Sequence, residues 1–257
     1  MSRTAIYSAL VLRNRSSKLA TSSQESNNEV TLLTAEEGII KATLFGGPKS
    51  KLRSHTAPYN SGKAWIYHDP AKDYRKLSDF DVHSWRPGIR ELYERTMTAG
   101  GVAQTVLSTH GGGGDWGTAL KLASATLDTL ENANEELCSR LLVHFLWRWA
   151  GFLGIQPPVE CCSNCGMETK ESPLWFNAAE GTMLCISCIK NSQLSTYNPQ
   201  PLQLSPGSRR WLSAVETLEP ALLHRYSTDI KSFGEIKTLV TSVMSGALGK
   251  QLASWDW

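Results

Sequence analysis

Short apolar runs occupy the first third of the chain: Ile6 to Leu12, Val30 to Thr34, Gly38 to Phe45, Lys63 to His68 and Tyr74 to Trp85. They are rich in β-branched and aromatic residues and are separated by polar connections, which predicts five short strands forming a small barrel. The connection from Arg13 to Glu29 carries eight Ser, Thr or Asn residues between Ser16 and Asn28 and almost nothing apolar. It is expected to be a mobile loop, long for a hairpin. After Pro87 the spacing becomes helical, with Ile89, Leu92, Tyr93 and Thr96 on one face. Asp115 stands as an N-cap before Leu120, Leu122, Ala123, Leu127 and Leu130, and a second long helix follows through Leu137, Leu141, Leu142, Phe145, Trp149 and Phe152. Pro157 and Pro158 stop it. A last helix opens with Ser232 and Glu235 at capping-box spacing, ahead of Ile236, Leu239, Val240 and Val243.

These periods describe an α+β chain of two domains, residues 1–82 as the barrel and residues 83–257 as a helical domain. A length of 257 residues suits that division. The longest uncharged stretch, Thr96 to Gly114, is too rich in Thr, Ser and Gly to span a membrane. The start has no small-residue cleavage site and is not expected to be a signal peptide. Gly111 to Gly114 has no Lys-Ser or Lys-Thr after it, so it reads as a flexible interhelical hinge rather than a phosphate loop.

Five of the six cysteines fall between Cys161 and Cys188. Cys162 with Cys165 and Cys185 with Cys188 form two C-x2-C pairs, with 19 residues between the inner two. Two thiolates on each short loop can meet one ion, and Gly166 suits the tight turn such a knuckle needs. The spacing predicts a closed, structural four-cysteine zinc site inserted within residues 159–190, with disulfides or a rubredoxin-like iron as the alternatives. Cys161 is left out because a three-residue gap closes a knuckle less well. Cysteines used for a metal rather than a disulfide scaffold point to a cytoplasmic protein.

The formal net charge is only +2, but it is unevenly distributed: residues 1–82 hold 12 basic and 8 acidic side chains. Between Gly38 and His68 lie Lys41, Lys49, Lys51, Arg53 and Lys63 with no acid among them. Such a window is what a phosphate backbone needs, and Phe45, Trp65, Tyr67 or Tyr74 could stack bases beside it. A solvated lysine surface over barrel-filling aromatics is the plainer explanation of the same residues. The chain has no G-x-x-x-x-G-K-[ST], H-E-x-x-H or G-x-S-x-G motif, and its six histidines are scattered singly.

The order of these parts resembles the RecO family of bacterial recombination mediators. Val30-Thr-Leu-Leu-Thr-Ala-Glu-Glu-Gly38 is similar to that family's second strand and turn, and Gly47-Pro-Lys-Ser-Lys-Leu-Arg53 to its basic loop. Leu141 to Gly154 resembles the helix before the metal segment. Pro157-Pro158, Cys162-Ser-Asn-Cys-Gly166 and Cys185-Ile-Ser-Cys188 resemble the zinc-bearing members. The resemblance implies an OB-fold that binds single-stranded DNA, and helices that receive the acidic tail of the single-stranded DNA-binding protein SSB. It also implies association with RecR, strand annealing and help in loading RecA, without a catalytic site, in the bacterial cytoplasm near the nucleoid. Arg209 and Arg210 beside Trp211 are the expected cationic and apolar spot for that tail. A zinc-stapled scaffold whose barrel binds protein is the competing reading. Phe45-Gly-Gly47 stands where the family often has arginines, so DNA affinity through this loop is expected to be reduced.

Overall fold

The computed structural model describes residues 4–16, 27–46, 50–169, 171–191, 201–250 and 252. They form two compact units, Met1–Ala133 and Asn134–Trp257. The change from strand to helix falls at Ser84 to Pro87, so the first unit keeps the first two long helices with the barrel.

Five strands make the closed barrel: β1 (Thr4–Ser16), β2 (Asn28–Thr34), β3 (Gly38–Leu44), β4 (Ser61–Asp69) and β5 (Tyr74–Ser84), in the order β1-β2-β3-β5-β4. β3 and β5 are parallel and the other pairs antiparallel, and a short helix, α1 (Lys51–His55), sits between β3 and β4. This is the five-stranded barrel expected from the strand spacing, in the OB-like arrangement that the resemblance implies. The inner face alternates as strands require: Tyr7, Ala9 and Val11, then Val30 and Leu32, then Ile40, Ala42 and Leu44, with Ala64, Ile66, Leu77 and Phe80 closing the core.

Part of the outer face is covered as well. Leu10 and Leu33 are paired neighbours on the outside, yet both are fully buried. Helices α2 (Tyr93–Ser108) and α3 (Trp116–Leu130) pack on β1 and β2 there. Asp115 caps α3 as expected, accepting the Thr118 amide at 3.1 Å. Gly111 to Gly114 lies between α2 and α3, as expected, and begins as a helix-ending turn. The Gly111 amide returns to the Val106 carbonyl at 2.8 Å, and Gly111 lies against Leu33 and Ile39 at a φ of +81°. The buried Arg86 guanidinium joins β4 to α3 by donating to the Tyr59 carbonyl, to Ser61 Oγ at 2.6 Å and to Asp128 at 2.7 Å.

The long connection expected from Arg13 to Glu29 is shorter in the structure. Arg13 to Ser16 extend β1 and pair with Thr31, Val30, Glu29 and Asn28; residues 17–26 lie outside the described residues. Apolar alternation was too weak there to reveal a strand held by backbone pairing alone.

The second unit is organised around α4 (Glu135–Phe152), whose Leu141 to Trp147 are all buried. Trp147 donates its indole N–H to the Leu212 carbonyl of α6 (Pro206–Val215), and α7 (Ile230–Leu248) packs on both helices. A three-stranded sheet of β6 (Leu174–Asn177), β7 (Thr182–Leu184) and β8 (Leu202–Leu204), ordered β7-β6-β8, was not expected from the sequence. Three or four residues are too few to display a period. The capping box is also corrected: Asp229 caps α7, and Glu235 instead accepts the Ser205 amide at 2.8 Å and the Ser208 hydroxyl at 2.6 Å. It thereby ties α7 to the start of α6.

Two predictions follow from this packing. An ideal Cβ on Gly62 would lie 1.9 Å from the Asp81 carbonyl oxygen across the β4–β5 bulge. Gly62→Ala is therefore expected to destabilise the first unit by about 2–4 kcal/mol, because backbone must move to admit it; denaturant unfolding at parental stability would refute this. His144 is fully buried, with Nε2 3.0 Å from the Leu218 carbonyl. Burial first, and then the Arg148 charge, bring its pKa down to about 4, against the pull of the Leu218 and Val215 carbonyls. An unfolded histidine takes up a proton near pH 6.5, so this contribution is complete above that pH and is lost as pH falls toward 4. The full effect is of order 3 kcal/mol. The stability gap between the parent and His144→Gln should narrow over that window, and a gap independent of pH would count against the assignment.

Candidate nucleic-acid interface and metal centre

The outer face of the barrel owes two of its cations to one irregularity in β1. Tyr7, Ala9 and Val11 point inward, so strict alternation would drive Arg13 and Arg15 into the core. Between Val11 and Arg13 the β1–β2 register shifts by the extra residue Leu12. The bulge flips the following residues. Asn14 now turns inward, donating to Thr56 Oγ1 at 3.0 Å, while Arg13 and Arg15 stand outside opposite Thr31 and Glu29.

The neighbouring strands extend this face. Thr31 pairs with Lys41 and Glu29 with Thr43, and Thr43 pairs with Lys76 across the parallel β3–β5 seam. Arg13, Arg15, Lys41 and Lys76 therefore lie on adjacent rows of four strands, with Glu29 the acid within those rows. Beside Lys76, the Phe45 ring meets Tyr74 at a centroid distance of 6.4 Å, and the Lys76 ammonium lies 5.5 Å from the Phe45 centroid. Arg75 is turned to Glu37 at 2.8 Å.

The basic window seen in the sequence is only partly brought together. Lys41 joins the face just described. Lys51 is exposed and Arg53 half-buried on α1, and Lys49 lies outside the described residues. Lys63 pairs with Ser8 on one side and Asp81 on the other. Lys41 is level with Tyr74, seven residues back along β5, a separation of roughly 20 Å. The contiguous window hid the closer partners Arg13, Arg15 and Lys76, which belong to other strands. Two arginines two residues apart at the end of an apolar run were the available signal.

In the second unit the Sγ atoms of Cys162, Cys165, Cys185 and Cys188 all lie within 4.8 Å of one another, with Cys165 and Cys185 at 3.9 Å. Ligands about 2.3 Å from a tetrahedral ion would be spaced about 3.8 Å apart, so the quartet could hold one metal ion. Each loop is built for it. Gly166, at a φ of +69°, returns its amide to the Cys162 carbonyl at 2.9 Å, and the Ser163 amide reaches the Met183 carbonyl of β7 at 2.7 Å. The Cys185 amide donates to Cys162 Sγ at 3.3 Å. Burial opposes ionisation of Cys162, but amides at Cys165, Cys185 and Asn164 overcome it and bring its pKa down to about 6. Cys188 is pushed up to about 12: the Asn164 amide favours its thiolate, but the three neighbouring thiols outweigh it. Four sulfurs this close cannot all ionise without a cation among them, which is the role a divalent ion would fill. All six cysteines are free of disulfides, and Cys161 stands outside the quartet, bridged through its backbone to Glu168.

Next to this segment is a cleft of about 580 Å³ lined by Glu160, Glu168, Glu171, Arg209 and Arg210 among others. The spot expected at Arg209, Arg210 and Trp211 is not an exposed one. Arg209 is buried and donates to the carbonyls of Val159, at 2.6 Å, and Ser172, so it fastens the cysteine segment to α6. Trp211 is buried too. Arg210 remains at the surface, 3.7 Å from Glu171, and the three glutamates make the cleft a poor receptor for carboxylates.

The family model for "Recombination protein O C terminal" matches residues 118–256, more than half of the chain. The chain belongs to the RecO family. It is similar to the DNA repair protein RecO of Anaeromyxobacter sp. (strain K), 26% identical over 235 residues that cover 90% of this chain and 88% of that protein. It also resembles the protein of the same name from Desulforamulus reducens, 21% identical over 97% of this chain and 91% of that one. The Rubrobacter xylanophilus protein is 25% identical over 77% and 78%. The matched span contains the helices of the second unit and the cysteine quartet. Among the described residues no helix is long and apolar enough to cross a membrane.

The metal centre yields a direct test. Protein prepared without chelators should carry one metal ion, and Cys185→Ser should lose it and lower the unfolding temperature of the second unit. Elemental analysis finding no metal in the parent, or equal metal in parent and variant, would refute the assignment.

Proposed function

We propose that this RecO-family chain is a non-enzymatic mediator of DNA repair and recombination whose barrel binds single-stranded DNA. The observation that carries this reading is the outer face where Arg13, Arg15, Lys41 and Lys76 converge with one acid in their midst. Single-stranded nucleic acid offers a run of phosphates to such a face, and contacts of this kind position a strand without reading its sequence. Lys49, Lys51 and Arg53 are proposed to extend the track, while Lys63, next to Asp81, lies off it. In the proposed cycle the helical unit receives the acidic tail of SSB, RecR joins the complex, and complementary strands are annealed or handed to RecA in the cytoplasm. The family supports these partners, and of the tripeptide proposed for the SSB tail only Arg210 is displayed. The metal is proposed to be zinc, since four thiolates in a closed set suit it and leave no open position for chemistry.

Three or four phosphate contacts predict a slope of about −2 to −3 for log K against log salt. In oligonucleotide titrations, Lys41→Ala with Lys76→Ala should make the slope shallower by about 1.4, and the Lys49, Lys51 and Arg53 triple alanine variant should also reduce it. Lys63→Ala should leave it unchanged. Binding that ignores salt in the parent would overturn the reading in favour of a barrel that docks protein.

A further inference from the structure

Phosphate contacts leave open what meets the bases, and the β3–β5 seam offers a candidate. Resting on the single-stranded DNA reading above, we infer that Phe45 is a base-stacking platform, fixed by Tyr74 and Lys76, over which the strand passes with its bases toward the seam.

Phe45 continues the outward alternation of Lys41 and Thr43. It is 43% exposed, a large apolar ring left in solvent. β3 ends at Leu44 and the chain turns away at Gly46, with a φ of +115°, so Phe45 stands just past the strand end as the last residue to keep this alternation. The ring is nevertheless not loose. Tyr74 packs against it at a 60° interplanar angle and the Lys76 ammonium sits 5.5 Å from its centroid. Holding a ring in place before a ligand arrives lowers the ordering cost of binding. Among the described residues the Tyr74 hydroxyl is shut away from solvent without a hydrogen-bond partner, whereas Phe45 is exposed, so Tyr74 is the support and Phe45 the ring on offer.

The surroundings favour nucleic acid as the occupant. The Lys76 ammonium lies over the ring, and Lys41 stands further along the same outward row, about 13 Å back at strand spacing, so each strand of the seam carries a cation on this face. An aromatic ring flanked by cations accepts any base, because every base has a π-face and the neighbouring phosphates find ammonium groups. Two other exposed apolar side chains of the barrel region are placed differently: Trp85 packs edge-on to His55, and Ile6 is paired with Trp65, which in turn faces Asp79.

Stacking and charge separate cleanly in experiment. Affinity for a thymidine oligonucleotide is measured by fluorescence anisotropy across a salt series, with thermal unfolding of each variant as the folding control. Phe45→Ala and Phe45→Leu should each weaken binding about tenfold at every salt concentration and leave the slope unchanged. Phe45→Tyr should bind as the parent does, and the leucine variant, which keeps an apolar side chain of similar size, guards against a folding artefact. Preference for single over double strand should fall with the ring, since paired bases are not free to stack. If Phe45→Leu binds within twofold of the parent while the Lys41 and Lys76 variant still makes the slope shallower, the platform is refuted and the phosphate face stands. If the parent shows no salt-dependent binding of single strands, the underlying reading falls and the platform with it.

Discussion

Everything on the barrel depends on β1 pairing along two edges. It is the strand that closes the sheet, bonded to β4 through Thr4 to Leu10 and to β2 through Ala9 to Ser16. One strand can serve both partners only if it bends, and the bend falls where Leu12 is inserted into the register. The same insertion reverses the side-chain alternation, so closure of the fold and display of Arg13 and Arg15 are one event. Removing the bulge while keeping the pairing would place two guanidinium groups among Val30, Leu32 and Leu44, at a desolvation cost no small barrel could carry. A structural requirement and part of the proposed nucleic-acid surface are thus written by a single extra residue.

The second unit solves a different problem. Its cysteine segment contains strands of three and four residues and a six-residue helix, α5 (Ile186–Asn191), elements too short to hold themselves. Two devices hold them from outside the segment's own core. The cysteine quartet would join the two knuckles through a bound ion, and Arg209 of α6 bonds the carbonyls of Val159 and Ser172 on either side of the first knuckle. A buried guanidinium bonded to carbonyls rather than a carboxylate keeps its charge at a cost. Burial lowers its pKa from the usual arginine value, and the nearby Glu160 only partly offsets this. That use commits the Arg209 guanidinium to the fold, and it shows how a residue that reads as part of a docking spot in sequence can act as a brace, while its neighbour Arg210 stays at the surface.

The proposed nucleic-acid face and the metal centre differ in what they ask of the protein. The face needs cations and a ring held at fixed spacing, and it obtains both from strands whose positions are set by backbone pairing. The centre needs four deprotonated sulfurs in one place, and its loops supply amides that favour the Cys162 thiolate before any ion is considered. Neither arrangement includes a nucleophile with an adjacent base, and the buried His144 is committed to the Leu218 carbonyl.

The sequence by itself determined the parts whose physics is local. Five apolar runs specified five strands, Asp115 specified a cap through a side chain three residues from its partner amide, and two C-x2-C pairs specified a four-cysteine cluster able to hold an ion because each knuckle is closed by a few bonds. It could not determine what depends on a partner distant in the chain. The β1 bulge exists only against β2, so the outward turn of Arg13 and Arg15 was invisible, and a loop was expected where a strand runs. Lys76 lies outside the basic window in sequence but pairs with Thr43 in space, whereas Lys63 lies inside the window and faces Asp81. Glu235 sits at capping-box spacing, yet it bonds Ser205 and Ser208 because α6 approaches more closely than its own helix end. In each case spacing along the chain fixed what a side chain could reach locally, and tertiary pairing decided which of the competing partners was nearer.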